Sequence, residues 1–321
     1  MKILHSADWH ILLHKKKVPY DWQINRFKLL FKKLIKLEEG CNVHIIAGDI
    51  FDKKPEADEV CLFLSYINSV TTPTYIIPGN HEATKKGETF LSHFAQENAI
   101  KNPNVHIITK NKRIKIQGQP FQFFPYGEMQ LDNLPLPKRN DILVTHIRGE
   151  VLPHITPEYD FEKLRPWKLI LLGDLHFAHQ YKDYPAYYPG SPLNVTFDRD
   201  DKRKYGINII TKFIDGESYK VDFIDLKLPK LLRKTISVRD KMITDNFDHI
   251  IYEITGSIDE LSKIENSNLL DKKIATKPIE DSKLNLKNKS LIEELELYLK
   301  FIKIKNVNEI LKDYKDLNIN V

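Results

Sequence analysis

The sequence of 321 residues has no long apolar run and contains only two cysteines, Cys41 and Cys61. No stretch approaches the ~18 consecutive apolar residues that a membrane-spanning helix needs. The chain reaches a charged motif at Asp8, which leaves no room for the apolar region of a secretory signal peptide. Both cysteines lie among apolar neighbours, which favours two buried free thiols over a disulfide or a metal-binding pair. These absences predict a cytoplasmic protein that does not contact membranes.

Internal repeats, low-complexity tracts and a strong charge imbalance are also absent. The chain has 49 Lys and Arg residues against 44 Asp and Glu residues, and its net charge is +5. Hydrophobic residues make up 41% of the chain, which excludes general disorder and can supply the cores of one large and one smaller domain. The run Lys15, Lys16 and Lys17 is a candidate contact for DNA phosphates, although short lysine runs are more often solvated loops.

Strands and helices alternate along the first 80 residues. The hydrophobic pattern predicts strands at 2–6, 43–47 and 74–77, and it predicts helices at 22–39 and 56–70 between them. This alternation is typical of crossover connections in a largely parallel sheet.

The remainder of the chain is expected to complete one large domain and to add two smaller parts. We predict an α/β fold for residues 1–227, a layered sandwich of two mixed sheets flanked by helices, which ends in a hairpin that turns at Asp215 and Gly216. The composition then becomes polar, and a small α/β domain is predicted at 228–285. Two amphipathic helices are predicted within 286–321, where they pack on their own domain or dock on a partner.

Five short polar motifs follow predicted strands. In chain order they are Asp8-Trp9-His10, Gly48-Asp49-Ile50-Phe51-Asp52, Gly79-Asn80-His81-Glu82, His146, and Gly173-Asp174-Leu175-His176. Ligands in an open α/β sheet bind beyond the carboxyl ends of the strands, so the five motifs are expected to converge on one site. A single histidine at a strand end is more often structural than functional. The prediction therefore depends on the order, spacing and placement of all five motifs together.

The residue types in these motifs suit a pair of divalent metal ions. Carboxylate, amide and imidazole ligands favour Mn²⁺, Mg²⁺, Fe²⁺ or Zn²⁺ without any thiolate, and two ions can share a bridging carboxylate and a bridging water. Our hypothesis assigns one ion to Asp8, His10 and His176 and the other ion to Asn80, His146 and Asp174, with Asp49 as the bridge.

Three further residues of these motifs are given roles outside the ligand set. His81 is predicted to be catalytic, because it is free to protonate the leaving oxygen or to steady the phosphate. Asp52 is expected to hydrogen-bond the groups around the ligands rather than to bind an ion. Glu82 is expected to be an exposed or locally hydrogen-bonded carboxylate.

At these residues the sequence resembles the calcineurin-like metallophosphoesterase superfamily. The pattern of that superfamily is Asp-x-His, Gly-Asp-x-x-Asp, Gly-Asn-His-Asp/Glu, a lone His and Gly-His-x-His, and four of the five elements match. Where the superfamily commonly has Gly-His-x-His, this chain has Gly173-Asp174-Leu175-His176. Aspartate adds a negative charge and a harder oxygen donor, so we expect a preference for Mn²⁺ or Mg²⁺ over Zn²⁺.

More closely, the chain resembles the SbcD-type DNA-repair nucleases, including the shorter subunits of large phages. The resemblance rests on the opening KILHSADWH, on GDIFDKKPE, and on Tyr188-Pro189-Gly190-Ser191-Pro192 with the later Thr196-Phe197 and Lys204-Tyr205-Gly206. It implies cleavage of DNA, exonucleolytic and endonucleolytic, with two divalent ions, Mn²⁺ or else Mg²⁺. It also implies that residues 228–285 form a capping domain and that residues 286–321 bind an SbcC-type, SMC-like ATPase. Finally, it implies a nuclease homodimer within a heterotetramer, in the cytoplasm of a bacterial cell or a phage-infected host.

Two alternatives stay open at this point. The first is another enzyme of the same superfamily, a protein phosphatase or a small phosphodiesterase, because the metal motifs do not distinguish these substrates. The second is a non-catalytic scaffold on the same fold. Six of the seven proposed ligands match the superfamily and the seventh is a competent carboxylate, which favours an enzyme.

Overall fold

The computed structural model describes residues 1–84, 89–96, 100–130, 137, 141–150, 156–199, 202–213, 218–275 and 289–318. The chain divides into two compact units. The first unit comprises Met1–Lys234 and Met242–Ile251, and the second comprises Thr235–Lys241 and Tyr252–Val321. The predicted hairpin turn at 215–216 lies outside the described residues.

Two six-stranded sheets and their helices build the first unit. In chain order the elements are β1 (Lys2–Ser6), α1 (Tyr20–Glu38), β2 (Val43–Ala47), α2 (Ala57–Ile67), β3 (Thr74–Ile77), α3 (Phe90–Gln96), β4 (Val105–Ile107), β5 (Lys112–Ile116), β6 (Gln119–Phe124), β7 (Ile142–His146), β8 (Leu169–Gly173), β9 (His179–Gln180), β10 (Ala186–Tyr188), β11 (Gly206–Lys212) and β12 (Tyr219–Asp225). Two short 3₁₀ turns lie at Glu128–Gln130 and Phe161–Leu164.

The order of the strands places the ends of the central strands side by side. The first sheet runs β12-β11-β1-β2-β3-β4, and the second runs β5-β6-β7-β8-β10-β9. Strands β1 to β4 pair in parallel, and so do β6, β7 and β8, whereas β11 is antiparallel to β1. Parallel pairing brings the carboxyl ends of β1, β2 and β3 together, and likewise those of β7 and β8. The predicted sandwich of two mixed sheets flanked by helices is confirmed.

Side chains that point alternately to the two faces of a strand fill two layers of the core. In β1, Ile3 belongs to a buried cluster that both sheets share, with Phe123 and Val144 of the second sheet. The next residue, Leu4, lies in the cluster formed with Leu30 of α1. Successive strand side chains point to opposite faces, so one strand serves both layers. Each such burial contributes about 1.5–3 kcal/mol, which holds the strand ends in fixed positions.

A third, three-stranded sheet and three helices complete the chain. These elements are β13 (Leu231–Ser237), β14 (His249–Gly256), α4 (Ile258–Ser262), β15 (Leu270–Ala275), α5 (Leu291–Phe301) and α6 (Val307–Asn318). The strand order is β13-β14-β15, with β14 and β15 parallel. Ser257 and Ser290 each form a capping box with the glutamate three residues later, which satisfies the first amides of α4 and α5.

The structure also bears on two expectations from the sequence, namely the burial of the two cysteines and the lack of a membrane-spanning helix. Both cysteines are free, but Cys61 is exposed and Cys41 is only half-buried, so the expected burial was wrong. The reason is that Cys61 lies on the solvent-facing side of α2, whereas its neighbours Leu62 and Phe63 face the core. Among the helices of the described residues, none has the length and apolar character to cross a bilayer.

Candidate metal centre

Polar side chains from five strand ends meet in one region of the first unit. Asp8 follows β1, Asp49 follows β2 and Asn80 follows β3, while His146 is the last residue of β7 and Asp174 follows β8 directly. Hydrogen bonds tie these ends together, because the backbone amide of Asp174 donates to both carboxylate oxygens of Asp8 at 3.1 and 3.2 Å. The two sheets therefore contribute to a single group of side chains.

The backbone at these strand ends is strained. The φ angles are 56° at Asp8, 47° at His10, 55° at Asp49 and 112° at Asp174. Side-chain-bearing residues rarely adopt such values, and each costs on the order of 1–3 kcal/mol. The packed sheets on either side hold these turns in place. As a result, the side chains of the turn residues are directed toward one another.

Two glycines permit the close approach of the loops. A Cβ atom at Gly48, where φ is +91°, would lie 2.4 Å from Nδ1 of His146. A Cβ atom at Gly173 would lie 1.9 Å from the carbonyl oxygen of Ala47. Any side chain at either position would force the loops after β2 and β8 away from His146.

Three overlapping groups of side chains have the spacing of metal ligands. Within each group, one ligand atom of every residue lies within 4.8 Å of the ligand atoms of the other two. The first group is Asp8, His10 and His176, the second is His10, Asp49 and His81, and the third is Asp8, Asp49 and His146. Nε2 of His10 lies 3.6 Å from Oδ2 of Asp49, and the rings of His10 and His176 are 4.6 Å apart. Asp8, His10 and Asp49 each belong to two of the groups, and Asp49 also lies 3.5 Å from Nε2 of His146.

His146 connects the remaining predicted ligands. Its Nε2 lies 2.9 Å from the Asn80 amide, 3.5 Å from Asp49 and 3.8 Å from Asp174. Its Nδ1 donates a hydrogen bond to the carbonyl of Ala47 at 2.7 Å, which turns Nε2 toward the other three. Metal-binding histidines commonly donate their second N–H to a backbone carbonyl in this way.

The charges of this region call for a cation. Burial raises the pKa of Asp8 well above its usual value. Burial alone would lower the pKa of His146, but the negative charge of Asp49 and its hydrogen bond raise this pKa to about 10. Burial would also raise the pKa of Asp49, but the positive charge of His146 holds it below its usual range. A proton on His146 thus balances the buried carboxylates, and a divalent cation could take over this role.

Three further observations fit a bound cation. Nε2 of His10 is buried and has no hydrogen-bond partner among the described residues. The amide oxygen of Asn80 lies 2.9 Å from Nε2 of His146 and also faces the Asp49 carboxylate, to which only the reversed amide would donate, at 3.1 and 3.2 Å. An amide oxygen beside a carboxylate is a suitable pair of ligands for a cation. Burial and the nearby charge of His10 lower the pKa of His176 to about 4, so its imidazole is neutral and able to coordinate.

His81 and Asp52 lie beside the ligand groups in different ways. The His81 ring is 35% exposed, and its Nδ1 donates to the backbone carbonyl of Asp52. This bond leaves Nε2 of His81 facing the site, 3.9 Å from Oδ2 of Asp49. The Asp52 carboxylate lies 3.3 Å from Nδ1 of His10, which lowers the pKa of Asp52 through that interaction. The backbone carbonyl of Asp52 therefore orients His81, and its carboxylate lies beside His10.

Glu82 has a role that the sequence reasoning missed. It is fully buried and accepts hydrogen bonds from the backbone amides of Asp49 at 3.0 Å, Phe51 at 2.9 Å and Gly79 at 2.8 Å. The expectation of an exposed or merely local carboxylate was wrong, because Glu82 joins the loops after β2 and β3. Burial, followed by the negative charge of Asp49, raises the pKa of Glu82 to about 7.

Arg148 is a second residue that the sequence reasoning missed. It follows β7 by two residues, and its Nε donates to Oδ2 of Asp174 at 3.2 Å. Arg148, Thr156 and Phe177 line an open cleft of about 660 Å³ together with four of the seven proposed ligands, which are Asp49, Asn80, Asp174 and His176. The sequence did contain a signal for this role, because Arg148 lies two residues after His146 at the end of a predicted strand. A basic residue at that position can bind an anion that enters the site.

The candidate DNA contacts lie elsewhere in the first unit. Lys15 and Lys16 line a second cleft with Lys53 and Phe197. Lys17 adopts a positive φ of 66°, and its carbonyl accepts a hydrogen bond from His249 at 2.7 Å. Whether any of the three contacts DNA stays a prediction.

Comparison with known proteins agrees with this arrangement. Residues 1–210, which include all five motifs, match the family described as calcineurin-like phosphoesterase. The probable exonuclease subunit 1 of Escherichia phage T5 is 36% identical over 308 residues, which cover 94% of this chain and 92% of the relative. Protein TT1561 of Thermus thermophilus has a TM-score of 0.43 at 11% identity and covers 70% of this chain and 99% of its own. A zinc complex of Vps29 from Entamoeba histolytica has a TM-score of 0.33 at 13% identity, and the match covers 71% of this chain and 100% of the Vps29 chain. The family match and the phage relative establish that this chain belongs to the calcineurin-like phosphoesterase family.

Proposed function

We propose that this protein is the nuclease subunit of an SbcCD-like complex and that it hydrolyses DNA phosphodiester bonds by a two-metal mechanism. The proposal places it in DNA repair, recombination or replication, with exonuclease and endonuclease activity. One observation carries it: metal-ligating side chains from five strand ends lie within reach of one another beside an open cleft. The name of the phage T5 relative supports a role as one subunit of an exonuclease.

The first ion position in the assignment is one of the three groups described above, and the second rests on the distances from His146 to Asn80, Asp49 and Asp174. Asp8, His10 and His176 would hold one Mn²⁺ or Mg²⁺ ion, Asn80, His146 and Asp174 would hold the other, and Asp49 would bridge them. When bound, the two ions supply a water of lowered pKa and neutralise the charge on the phosphate oxygens.

The chain's own residues would orient and protonate the substrate. The bond from Nδ1 of His81 to the carbonyl of Asp52 fixes its ring, so Nε2 of the imidazolium form would be directed to give its proton to the leaving oxygen. Arg148 is paired with Asp174 at the same cleft, where its guanidinium can bind a non-bridging phosphate oxygen. The half-exposed side chain of Arg148 can reach an anion without losing this pair.

A comparison of two substrates tests the proposed activity. Linear duplex DNA and a chromogenic phosphodiester are each incubated with the protein and Mn²⁺. We expect cleavage of the DNA, and we expect a chelator to abolish it because the ions are essential. Cleavage of the small ester alone would favour another phosphoesterase of the family. Cleavage of neither substrate would favour a non-catalytic scaffold.

The carboxylate at position 174 predicts the metal preference. We expect Mn²⁺ or Mg²⁺ to support the fastest turnover, because Asp174 adds a hard oxygen donor where the family commonly has histidine. The variant Asp174→His should shift the preference toward Zn²⁺. Turnover measured with each ion in metal-free protein checks both statements. Tightest binding and fastest turnover with Zn²⁺ in the unaltered protein would contradict them.

The proposal also assigns roles to the regions after the nuclease domain at 1–227. Residues 228–285 would form the capping domain, and residues 286–321 would bind the SbcC-type ATPase of a heterotetramer that contains two nuclease subunits. Helices α5 and α6 expose large apolar side chains in support of this role; they are Leu291, Tyr298, Phe301, Ile302 and Ile310. Exposed apolar helix faces are a common docking surface for partner proteins.

Deletion of residues 288–321 is expected to separate partner binding from metal binding. The five motifs lie before residue 177, so the shortened chain should bind Mn²⁺ with unchanged affinity. It should no longer retain the ATPase subunit in a pulldown in which the full chain retains it. Undiminished capture of the ATPase by the shortened chain would show that the helices only pack on their own domain.

A further inference from the structure

A second cleft in the first unit is lined by basic side chains and one aromatic ring. Its volume is about 520 Å³, and Lys15, Lys16, Lys53, Arg233 and Phe197 are among the residues that line it. This volume lies within the range typical of pockets for small molecules, about 300–1,000 Å³. A concentration of positive charge around an aromatic surface is the combination that binds single-stranded nucleic acids.

The aromatic surface is built from Phe197 and Arg233. The guanidinium carbon of Arg233 lies 5.9 Å from the centre of the Phe197 ring. The ring is also held from the side by His249, whose centre is 6.0 Å away at an interplanar angle of 52°. Phe197 is half-buried, so its ring is fixed by its neighbours while part of it reaches the cleft. A nucleobase can stack on such a supported ring.

The cleft adjoins the side of His10 that faces away from Asp49. Nδ1 of His10 lies 3.3 Å from Asp52, whereas its Nε2 is directed toward Asp49 at 3.6 Å. A small cavity of about 20 Å³ is lined by His10, Asp52 and Lys15, and Lys15 also lines the basic cleft. Lys15 therefore connects the basic cleft to the cavity beside His10, which is a proposed metal ligand.

The acidic neighbour of Lys53 leaves this lysine available to a phosphate. Lys53 pairs with Glu56 at 3.7 Å, and both side chains are more than half exposed. His14 lies 3.1 Å from Asp58 on the same rim. Exposed pairs of this kind are worth only about 0–1 kcal/mol, so a phosphate can replace the carboxylate.

We propose that the basic cleft binds an unpaired nucleotide of a DNA strand. Its base would stack on Phe197, and the adjoining phosphates would pair with Lys15, Lys16, Lys53 and Arg233. An intact duplex keeps its bases stacked inside the helix, so only an unpaired base can reach Phe197. The inference rests on the proposed function for the identity of the substrate, and it assigns a separate subsite for a single-stranded segment.

Binding of a fluorescein-labelled oligothymidylate, measured by anisotropy, tests the subsite. The protein is kept in EDTA, so that binding is measured without cleavage and without metal ions, and a blunt duplex serves as the second probe. We expect Phe197→Leu to weaken oligothymidylate binding about tenfold, because stacking contributes ~1–3 kcal/mol per base, and to leave duplex binding unchanged. The control Phe213→Leu alters an exposed phenylalanine of another surface and should change neither.

The salt dependence of oligothymidylate binding tests the phosphate contacts. The logarithm of the association constant falls linearly as the logarithm of the salt concentration rises. The variants Lys16→Ala and Lys53→Ala should each make this negative slope less steep by about 0.7. Lys36→Ala changes an exposed lysine in the last turn of α1 that does not line the cleft, and it should leave the slope unchanged. The melting temperature of each variant establishes that it is folded.

Two results would overturn the subsite. One is unchanged oligothymidylate binding by folded Phe197→Leu, and the other is an equal loss for single strand and duplex. The same variants tested for cleavage with Mn²⁺ keep the two proposals apart. Metal-dependent DNA cleavage without the Phe197 effect would refute the subsite alone, and the Phe197 effect without cleavage would refute the proposed function alone.

Discussion

Asp49→Asn is expected to abolish DNA cleavage while leaving the fold intact. Asp49 lies 3.6 Å from His10 and 3.5 Å from His146, which the assignment gives to different ions, so its loss should weaken both ion positions at once. The amide of asparagine can still accept the 3.0 Å hydrogen bond from the His81 backbone, which preserves the loop after β3. We expect the rate to fall well beyond the ~10–100-fold that the loss of a residue outside the ligand set costs. Initial rates on linear duplex DNA with Mn²⁺ measure the effect.

Asp52→Asn is the matched control for this experiment. It removes the same charge three residues later, but its carboxylate contacts His10 rather than belonging to a ligand group. Its backbone carbonyl still orients His81, because that contact does not involve the side chain. A moderate loss, within about 10–100-fold, is expected. Equal rates for Asp49→Asn and the unaltered protein would refute the metal-bridging role and favour the scaffold alternative.

Glu82→Ala is expected to weaken both the fold and metal binding. The change leaves the buried amides of Asp49, Phe51 and Gly79 without their acceptor. Each unsatisfied buried amide costs about 1–3 kcal/mol, so the free energy of unfolding should fall by roughly 3 kcal/mol or more. The loop that carries Asp49 also loses its link to the loop that carries Asn80. Urea unfolding of the metal-free protein and Mn²⁺ titration calorimetry measure the two effects.

Asp141→Ala separates general destabilisation from an effect on the site. Asp141 is also a buried carboxylate, and it accepts hydrogen bonds from Arg113 at 2.9 and 2.7 Å. It precedes β7 at the end opposite His146, roughly 16 Å away along the strand. We expect lower stability but unchanged Mn²⁺ affinity for this variant. Unchanged Mn²⁺ affinity in Glu82→Ala as well would contradict the role of Glu82 in holding the ligand loops.

The convergence of the proposed ligands could be predicted because the ends of short apolar strands can be recognised in a sequence. The apolar strands β1, β2, β3, β7 and β8 are short and sharply bounded, and parallel pairing brings their carboxyl ends together. The predicted ligands therefore needed no knowledge of side-chain contacts. The backbone strain at Asp8 and Asp49 could not be foreseen, because it is imposed by the packing of the two sheets around them.

Burial of polar residues was the part that the sequence could not provide. Glu82 is the last residue of the third motif, and glutamate is rarely buried unless it is paired, so an exposed side chain was the reasonable expectation. Its partners are three amides from two loops, which only the folded chain brings together. The strand β13 was missed for a similar reason, because its outer side chains are polar and only Leu231 and Leu232 at its start are buried.

Anomalous scattering from crystals soaked in Mn²⁺ tests the central claim most directly. The claim is that the side chains of five strand ends bind two ions whose shared ligand is Asp49. We predict two anomalous peaks ~3.5–4 Å apart, one beside His10 and His176 and the other beside Asn80 and His146, with Asp49 touching both. Empty density among these residues, or manganese bound only at the exposed group His14, Glu56 and Asp58, would contradict it.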